Sequence, residues 1–237
     1  MRSENSLLQR VNRAILPWLV PIGILLAWEV SARVGWLSSR ILPEPFAVLK
    51  AGVTLALSGE LWQHVKVSAV RALTGFAIGG GLGLVLGLLT GSFRKLEVAL
   101  DTTLQMIRNI PPLALIPLVI LWFGIGETAR IFLVAIGVAF PIYINTYHGV
   151  RSVDPGLIEM SKTYGLTTWQ MFRQVILPGA LPSILVGLRY ALGIMWLTLI
   201  VAETIAATSG IGYVTMNARE FLQTQRPRTR RPASSPS

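Results

Sequence analysis

The chain of 237 residues contains no cysteine, which excludes a disulfide framework, a thiolate nucleophile and a zinc–cysteine site, and leaves the redox compartment unread. Histidine is nearly as scarce. His64 and His148 fall on different segments without a metal-ligand spacing, so each reads as an isolated polar side chain at a membrane boundary and no metal is implied. No Gly-x-x-x-x-Gly-Lys-Ser/Thr run occurs, so nothing in the chain cradles nucleotide phosphates in the usual way. Charge is sparse and lopsided: 14% of residues are charged, with 11 acidic against 21 basic side chains and a net charge of +10. A soluble domain of this length carries more. Apolar residues fill the space instead, at 52% of the chain with a mean hydropathy of +0.59, which is the composition of a membrane protein.

The uncharged runs are long enough to cross about 30 Å of hydrocarbon as helices. Between bounding charges they delimit five spans, near 14–34, 72–93, 109–126, 131–150 and 184–207, so the expected fold class is all-α and polytopic. The first run follows Arg2, Arg10 and Arg13, as the apolar region of a secretory signal would. It continues to Trp36, longer than such a region usually is, with Trp18, Trp28 and Trp36 placed as interfacial anchors. It therefore reads as an uncleaved span preceded by a cytoplasmic segment, residues 1–13. With the N-terminus inside, Arg94, Lys95, Arg151, Lys162 and Arg173 also fall inside, as the positive-inside rule requires. Residues 33–71 fall outside despite Arg33, Arg40, Lys50, Lys66 and Arg71. Pro43, Pro45 and the Ser58-Gly59 break turn this stretch into an extended linker with a short interfacial helix, which relieves part of the conflict.

The second span carries Gly75, Gly79, Gly83, Gly87 and Gly91, one every four residues. That spacing lays a smooth stripe on one helix face, where a neighbouring helix approaches without Cβ atoms in the way. Glycine is commoner in membrane helices in any case, but five in strict register favour close packing.

Between the fourth and fifth spans lies a polar loop. Asp154 suits an N-cap and Pro155 the first helical position, so a short helix starts there. Leu157, Met160 and Tyr164 share one of its faces, and Gly165 supplies the left-handed residue that ends it. Thr167 and Gln170 form a capping box for a second helix, lined on one face by Trp169, Phe172 and Ile176 and expected to close at Pro178. The loop thus presents two short amphipathic helices to the cytoplasm.

Glu159, Gly165, Val175, Leu177 and Pro178 match in type and spacing the cytoplasmic coupling motif of ABC-importer permeases, with Met160 and Ser161 in place of the usual two alanines. The resemblance extends over nearly all of residues 14–224, through runs at 36–43, 113–125, 140–146, 195–205 and 216–224. These look like the permeases of aliphatic sulfonate importers, within the nitrate, sulfonate and taurine group. The resemblance implies a type I ABC importer permease domain over 14–224, whose coupling loop (151–182) seats in a cleft of a cytoplasmic ABC ATPase. It further implies a homodimer of two permease copies and an extracytoplasmic substrate-binding protein that delivers the anion. ATP is then bound by the partner ATPase, the permease itself carries no cofactor and performs no covalent chemistry, and it lies among the lipids of the bacterial cytoplasmic (inner) membrane.

Charged and polar residues in or beside spans are candidates for a translocation path, because a charge at the bilayer centre costs about 2.5–3.5 kcal/mol on insertion scales. Arg108 and Asn109 precede Pro111-Pro112, Asn145 lies in the fourth span, and Arg189 and Glu203 bracket the fifth. For Arg108 and Arg189, snorkelling to headgroups weighs equally with a path role, as inter-helix hydrogen bonding does for Asn145. For Glu203 a salt bridge or helix-end role is favoured, since a carboxylate repels a sulfonate. After Thr224 the chain departs from the resemblance: residues 225–237 form a basic Pro- and Arg-rich tail where related permeases enter a sixth span. A shifted frame or truncated gene explains the tail more simply than lipid or nucleic-acid binding, and no nucleic-acid partner is expected. The sequence therefore reads as a permease for aliphatic sulfonates. The alternatives are a permease for a related anion such as taurine or nitrate, an ion-coupled secondary transporter, and a truncated remnant. The secondary transporter is disfavoured by the lack of inverted repeats and paired intramembrane carboxylates.

Overall fold

Every regular element among the described residues, 2–34, 36 and 44–224 of this computed structural model, is helical. The chain divides into two units, residues 1–62 with 215–237, and residues 63–214. In the first unit, α1 (Arg2–Arg33) carries the apolar stretch Leu16–Val34. Glu29 links its end to the start of α2 (Pro45–Leu57), accepting from Arg33 Nε at 2.7 Å and from the backbone N–H of Phe46 at 3.3 Å. Pro45 stands in the first turn of α2, where its missing N–H leaves no bond unmade. Arg40, Pro43 and the basic tail 225–237 lie outside the described residues.

The helix α3 (Glu60–Ser92) starts well before the expected residue 72, so Lys66 and Arg71 fall inside it. The charge of Arg71 is no obstacle, because carboxylates from two other helices neutralise it.

The expected span at 109–126 is not one helix. α4 (Arg94–Arg108) is followed by a 3-10 turn (Pro112–Leu115) and the eight-residue α5 (Ile116–Phe123), and the two arms meet at a bend of 78°. Pro111 and Pro112 supply no backbone donors, so the hydrogen-bond ladder of α4 ends at Asn109, whose N–H reaches only Ile107 and Met106. Sequence reading missed α4 because Arg94, Glu97, Asp101, Gln105 and Arg108 recur along one face and break the apolar run.

Within residues 63–214 the core is built by α6 (Glu127–Arg151), α9 (Leu177–Ala206) and the stripe face of α3. A Cβ at Gly75, Gly87 or Gly91 would stand 2.7, 2.6 or 2.8 Å from the Cβ of Val134, Thr146 or Val150, and one at Gly79 or Gly83 would run into the backbone of Ala135 or Ala139. Small residues set this close approach, because lipid tails offer no hydrophobic drive for helices to associate. Ala72, Val138, Ile142, Ala191, Met195 and Leu199 fill the space between the three helices. A second cluster, Ile116, Val119, Ala129, Leu133 and Ala202, seats the short α5.

Candidate functional site

The loop after α6 folds as two short capped helices. The Asp154 side chain accepts the N–H of Gly156 at 2.8 Å and starts α7 (Pro155–Thr163). Tyr164 and Gly165 follow, the latter at φ +73°, a left-handed backbone that a side chain resists. Thr167 and Gln170 close a reciprocal capping box on α8 (Thr168–Met171), with the Thr167 N–H donating to Gln170 Oε1 at 2.8 Å. The second helix does not close at Pro178. It passes through a π-helical segment (Phe172–Ile176) directly into α9, giving one apolar rod over Thr168–Ile205. The π register absorbs the proline: Leu177 N–H bonds back to Phe172, five residues earlier, and the missing donor of Pro178 leaves the helix continuous.

Of the motif residues, Glu159, Gly165 and Pro178 are exposed, while Val175 and Leu177 are half-buried where the rod meets the core. Leu157, Met160 and Tyr164 present an uncovered apolar face. Trp169 and Phe172 stack at 5.8 Å and, with Val85 and Leu89 of α3 and Phe93 just before α4, line an apolar groove of about 530 Å³.

The base of the loop is tied to α4. Glu97 accepts from the hydroxyl of Tyr147 at 2.6 Å, from Arg94 Nη1 at 3.1 Å and from Arg151, the last residue of α6. None of the side chains of α4 is buried, and its hydrogen bonds with Tyr147 and Arg151 of α6 converge on Glu97. At the other end of α4, Arg108 lines an open cavity of about 470 Å³, together with Asn145 of α6 and Tyr190 of α9. The structure thus brings Arg108 and Asn145 together and leaves Asn109 apart, its amide donating to the Gln105 carbonyl at 2.8 Å. The amide of Asn145 donates to the Pro141 carbonyl at 2.8 Å.

Sequence reasoning missed a polar knot at the opposite end of α6. Arg71 of α3 donates to Glu127 through Nε and Nη2, each at 2.5 Å, to Glu203 through Nη1 at 2.8 Å, and to the carbonyl of Ser209 at 2.7 Å. Ser68 donates to the Glu203 carboxylate at 2.8 Å, and the N–H groups of Gly210, Ile211 and Gly212 donate to His64 Nδ1, Ser68 Oγ and Glu203 Oε2. Glu203, for which the sequence favours a salt bridge or helix-end role, pairs with Arg71 and accepts the Gly212 N–H just past the end of α9. The signal for Arg71 and Ser68 was present only as polar residues one turn apart; their partners lie 56 residues away at Glu127 and more than 130 away at Glu203 and Ser209.

A model of the family described as "Binding-protein-dependent transport system inner membrane component" matches residues 80–226. The chain is 64% identical over 210 residues to the SsuC protein of Escherichia coli (strain K12), named as an aliphatic sulfonates transport permease, covering 89% of this chain and 80% of that protein. It is 46% identical over 208 residues to the SsuC protein of Bacillus subtilis (strain 168), covering 88% and 75%, and 37% identical over 206 residues to the taurine transport system permease protein TauC of Escherichia coli (strain K12), covering 85% and 75%. Among solved structures it is similar in fold to the MetNI methionine ABC transporter in inward-facing conformations, with a TM-score of 0.51 and 24% identity over 73% of this chain and 89% of that one. With four long apolar helices and one sharply bent helix pair among its described residues, and with this set of relatives, the chain belongs to the binding-protein-dependent transport system inner membrane components, and is a multi-pass, non-enzymatic permease subunit of an ABC importer.

Proposed function

We propose that this chain carries aliphatic sulfonates across the inner membrane, with residues 151–182 as the surface that a cytoplasmic ABC ATPase engages. The observation that carries the reading is the 64% identity to a permease named for aliphatic sulfonates, over 80% of that protein's length. Glu159, Gly165, Val175, Leu177 and Pro178 form the coupling surface. An exposed helix α7, ended by a left-handed glycine and leaning on a rod continuous with α9, supports this, since a push on the loop reaches the membrane helices without a flexible joint. ATP is bound by the partner, a substrate-binding protein delivers the anion, and two permease copies in lipid enclose the path. Arg108 and Asn145 line that path, and Asn109 caps α4 beside it. Gly75, Gly79, Gly83, Gly87 and Gly91 hold α3 against α6 as the fixed side of the machine. Taurine, the cargo named for a 37% identical relative, is the second reading of the substrate.

The test is uptake of a short alkanesulfonate into proteoliposomes holding the permease, the ATPase and the binding protein. Uptake is expected to need ATP and to persist when ion gradients are collapsed. Accumulation by the permease alone on an imposed ion gradient would overturn the reading in favour of a secondary transporter.

A further inference from the structure

We infer that Arg189 belongs to an anion-accepting chamber at mid-membrane depth, formed with Arg108, Asn145 and Tyr190, which receives the charged head of the cargo. This rests on the transport reading above and adds to it the residues that recognise the anion.

The depth of Arg189 follows from the packing of α9 on α6. A Cβ at Gly187 would stand 2.7 Å from Asn145 Cβ and 3.1 Å from the Pro141 carbonyl, and one at Gly137 would stand 3.0 Å from Thr198 Oγ1. Arg189 therefore lies level with the stretch between Gly137 and Asn145, the middle of the 25-residue α6. The centre of a 30 Å hydrocarbon layer is about 15 Å from either interface, farther than an arginine side chain extends. Snorkelling to headgroups does not reach from there, and an arginine at that depth costs about 2.5–3.5 kcal/mol on insertion scales.

Arg189 is exposed, and no described residue gives it an ion pair or hydrogen bond. It shares the exposed face of α9 with Val186, Tyr190 and Gly193, and nothing stands within 4 Å of where a Cβ on Gly193 would be. A charge placed so is expected to face water or an anion rather than lipid. Tyr190, the next residue, lines the cavity of about 470 Å³ that also holds Arg108. That cavity contains no carboxylate, and Ile110, Phe140, Ile144, Val186 and Ile194 give it an apolar wall. Guanidinium forks pair with the oxygens of a sulfonate, and the apolar wall accepts the alkyl chain behind it. The chemistry of the chamber thus matches an amphiphilic organic anion at both ends.

The absence of native cysteine makes a direct test clean. Arg189→Cys is prepared in the complete reconstituted complex and treated with 2-sulfonatoethyl methanethiosulfonate, itself a small alkanesulfonate, or with its trimethylammonium counterpart; modification is read by mass spectrometry of this chain. Charged walls in a cleft raise local counter-ion concentration by tenfold or more, so with Arg108 in place the anionic reagent should react about tenfold faster than the cationic one, and Arg108→Gln should erase that preference. The result is read in phosphatidylcholine and in phosphatidylglycerol-rich vesicles. No modification by either reagent, or no anionic preference, would overturn the inference. A preference that appears or disappears with the anionic lipid would assign Arg189 to lipid phosphate and overturn it as well. The labelling is read whatever the complex transports, so its failure and a failure of sulfonate uptake are separate results.

Discussion

Arg71 Nη1 lies 2.8 Å from Glu203 Oε1, with both side chains withdrawn from the surface and the two residues 132 positions apart in the chain. The pair sits at the centre of the knot that joins α3, α6 and the turn after α9. Removing one partner of a buried pair leaves the other charge uncompensated and costs about 3–5 kcal/mol.

Arg71→Met is therefore expected to lower the thermal midpoint of the purified protein strongly, and the double variant Arg71→Met/Glu203→Met to recover part of the loss. Thermal unfolding in detergent checks this. A single variant as stable as the parent would mean that the pair contributes nothing to the fold.

The glycine stripe allows a matched comparison within one helix. Gly79→Val drives a side chain into the backbone of Ala135, whereas Gly81→Ala meets nothing within 4 Å. The first should abolish recovery of folded protein. The second should keep it, with a gain of about 0.5–1 kcal/mol from helix propensity. Monodisperse yield after size exclusion is the measurement, and equal yields would refute the tight α3–α6 contact.

At Gly165 the backbone is at φ +73°, and nothing crowds the missing Cβ. The penalty for Gly165→Val is thus local strain, roughly 1–2 kcal/mol or more for a β-branched residue, confined to an exposed turn. Membrane insertion and thermal stability should hold while ATP-driven uptake falls and the ATPase co-purifies less well. Normal uptake would remove Gly165 from the coupling surface.

Glu97 joins α4 to the base of the loop through Tyr147 and Arg151. Glu97→Gln should reduce uptake per ATP hydrolysed more than it reduces thermal stability, because a single tie between α4 and the loop base is weakened while the core is untouched. The exchanged pair Glu97→Arg/Arg151→Glu should restore part of the coupling. Uptake and hydrolysis measured on the same vesicles decide it, and an unchanged ratio in Glu97→Gln would rule out this tie as a transmission point.

Much of this was legible in the residues. Apolar runs mark the spans because hydrocarbon admits only backbones that satisfy their own hydrogen bonds, so length and charge spacing located the long helices, though not the early start of α3 or the break at 109–112. Asp154, Gly165 and the Thr167–Gln170 box were legible for the same reason: caps and left-handed turns depend on neighbours a few positions away. The four-residue recurrence of glycine announced a packing face but not its partner, α6, which only the assembled helices determined. The bend at 109–112 and the continuity of the rod through Pro178 depended on how freed backbone groups were accommodated, and a proline alone does not specify whether it breaks a helix or is absorbed by a π turn. The knot of Arg71, Glu127 and Glu203, and the meeting of Arg108 with Asn145 and Tyr190, were decided by tertiary structure alone. Their members come from three helices each, and electrostatic attraction acts through distance in space, which sequence separation does not encode.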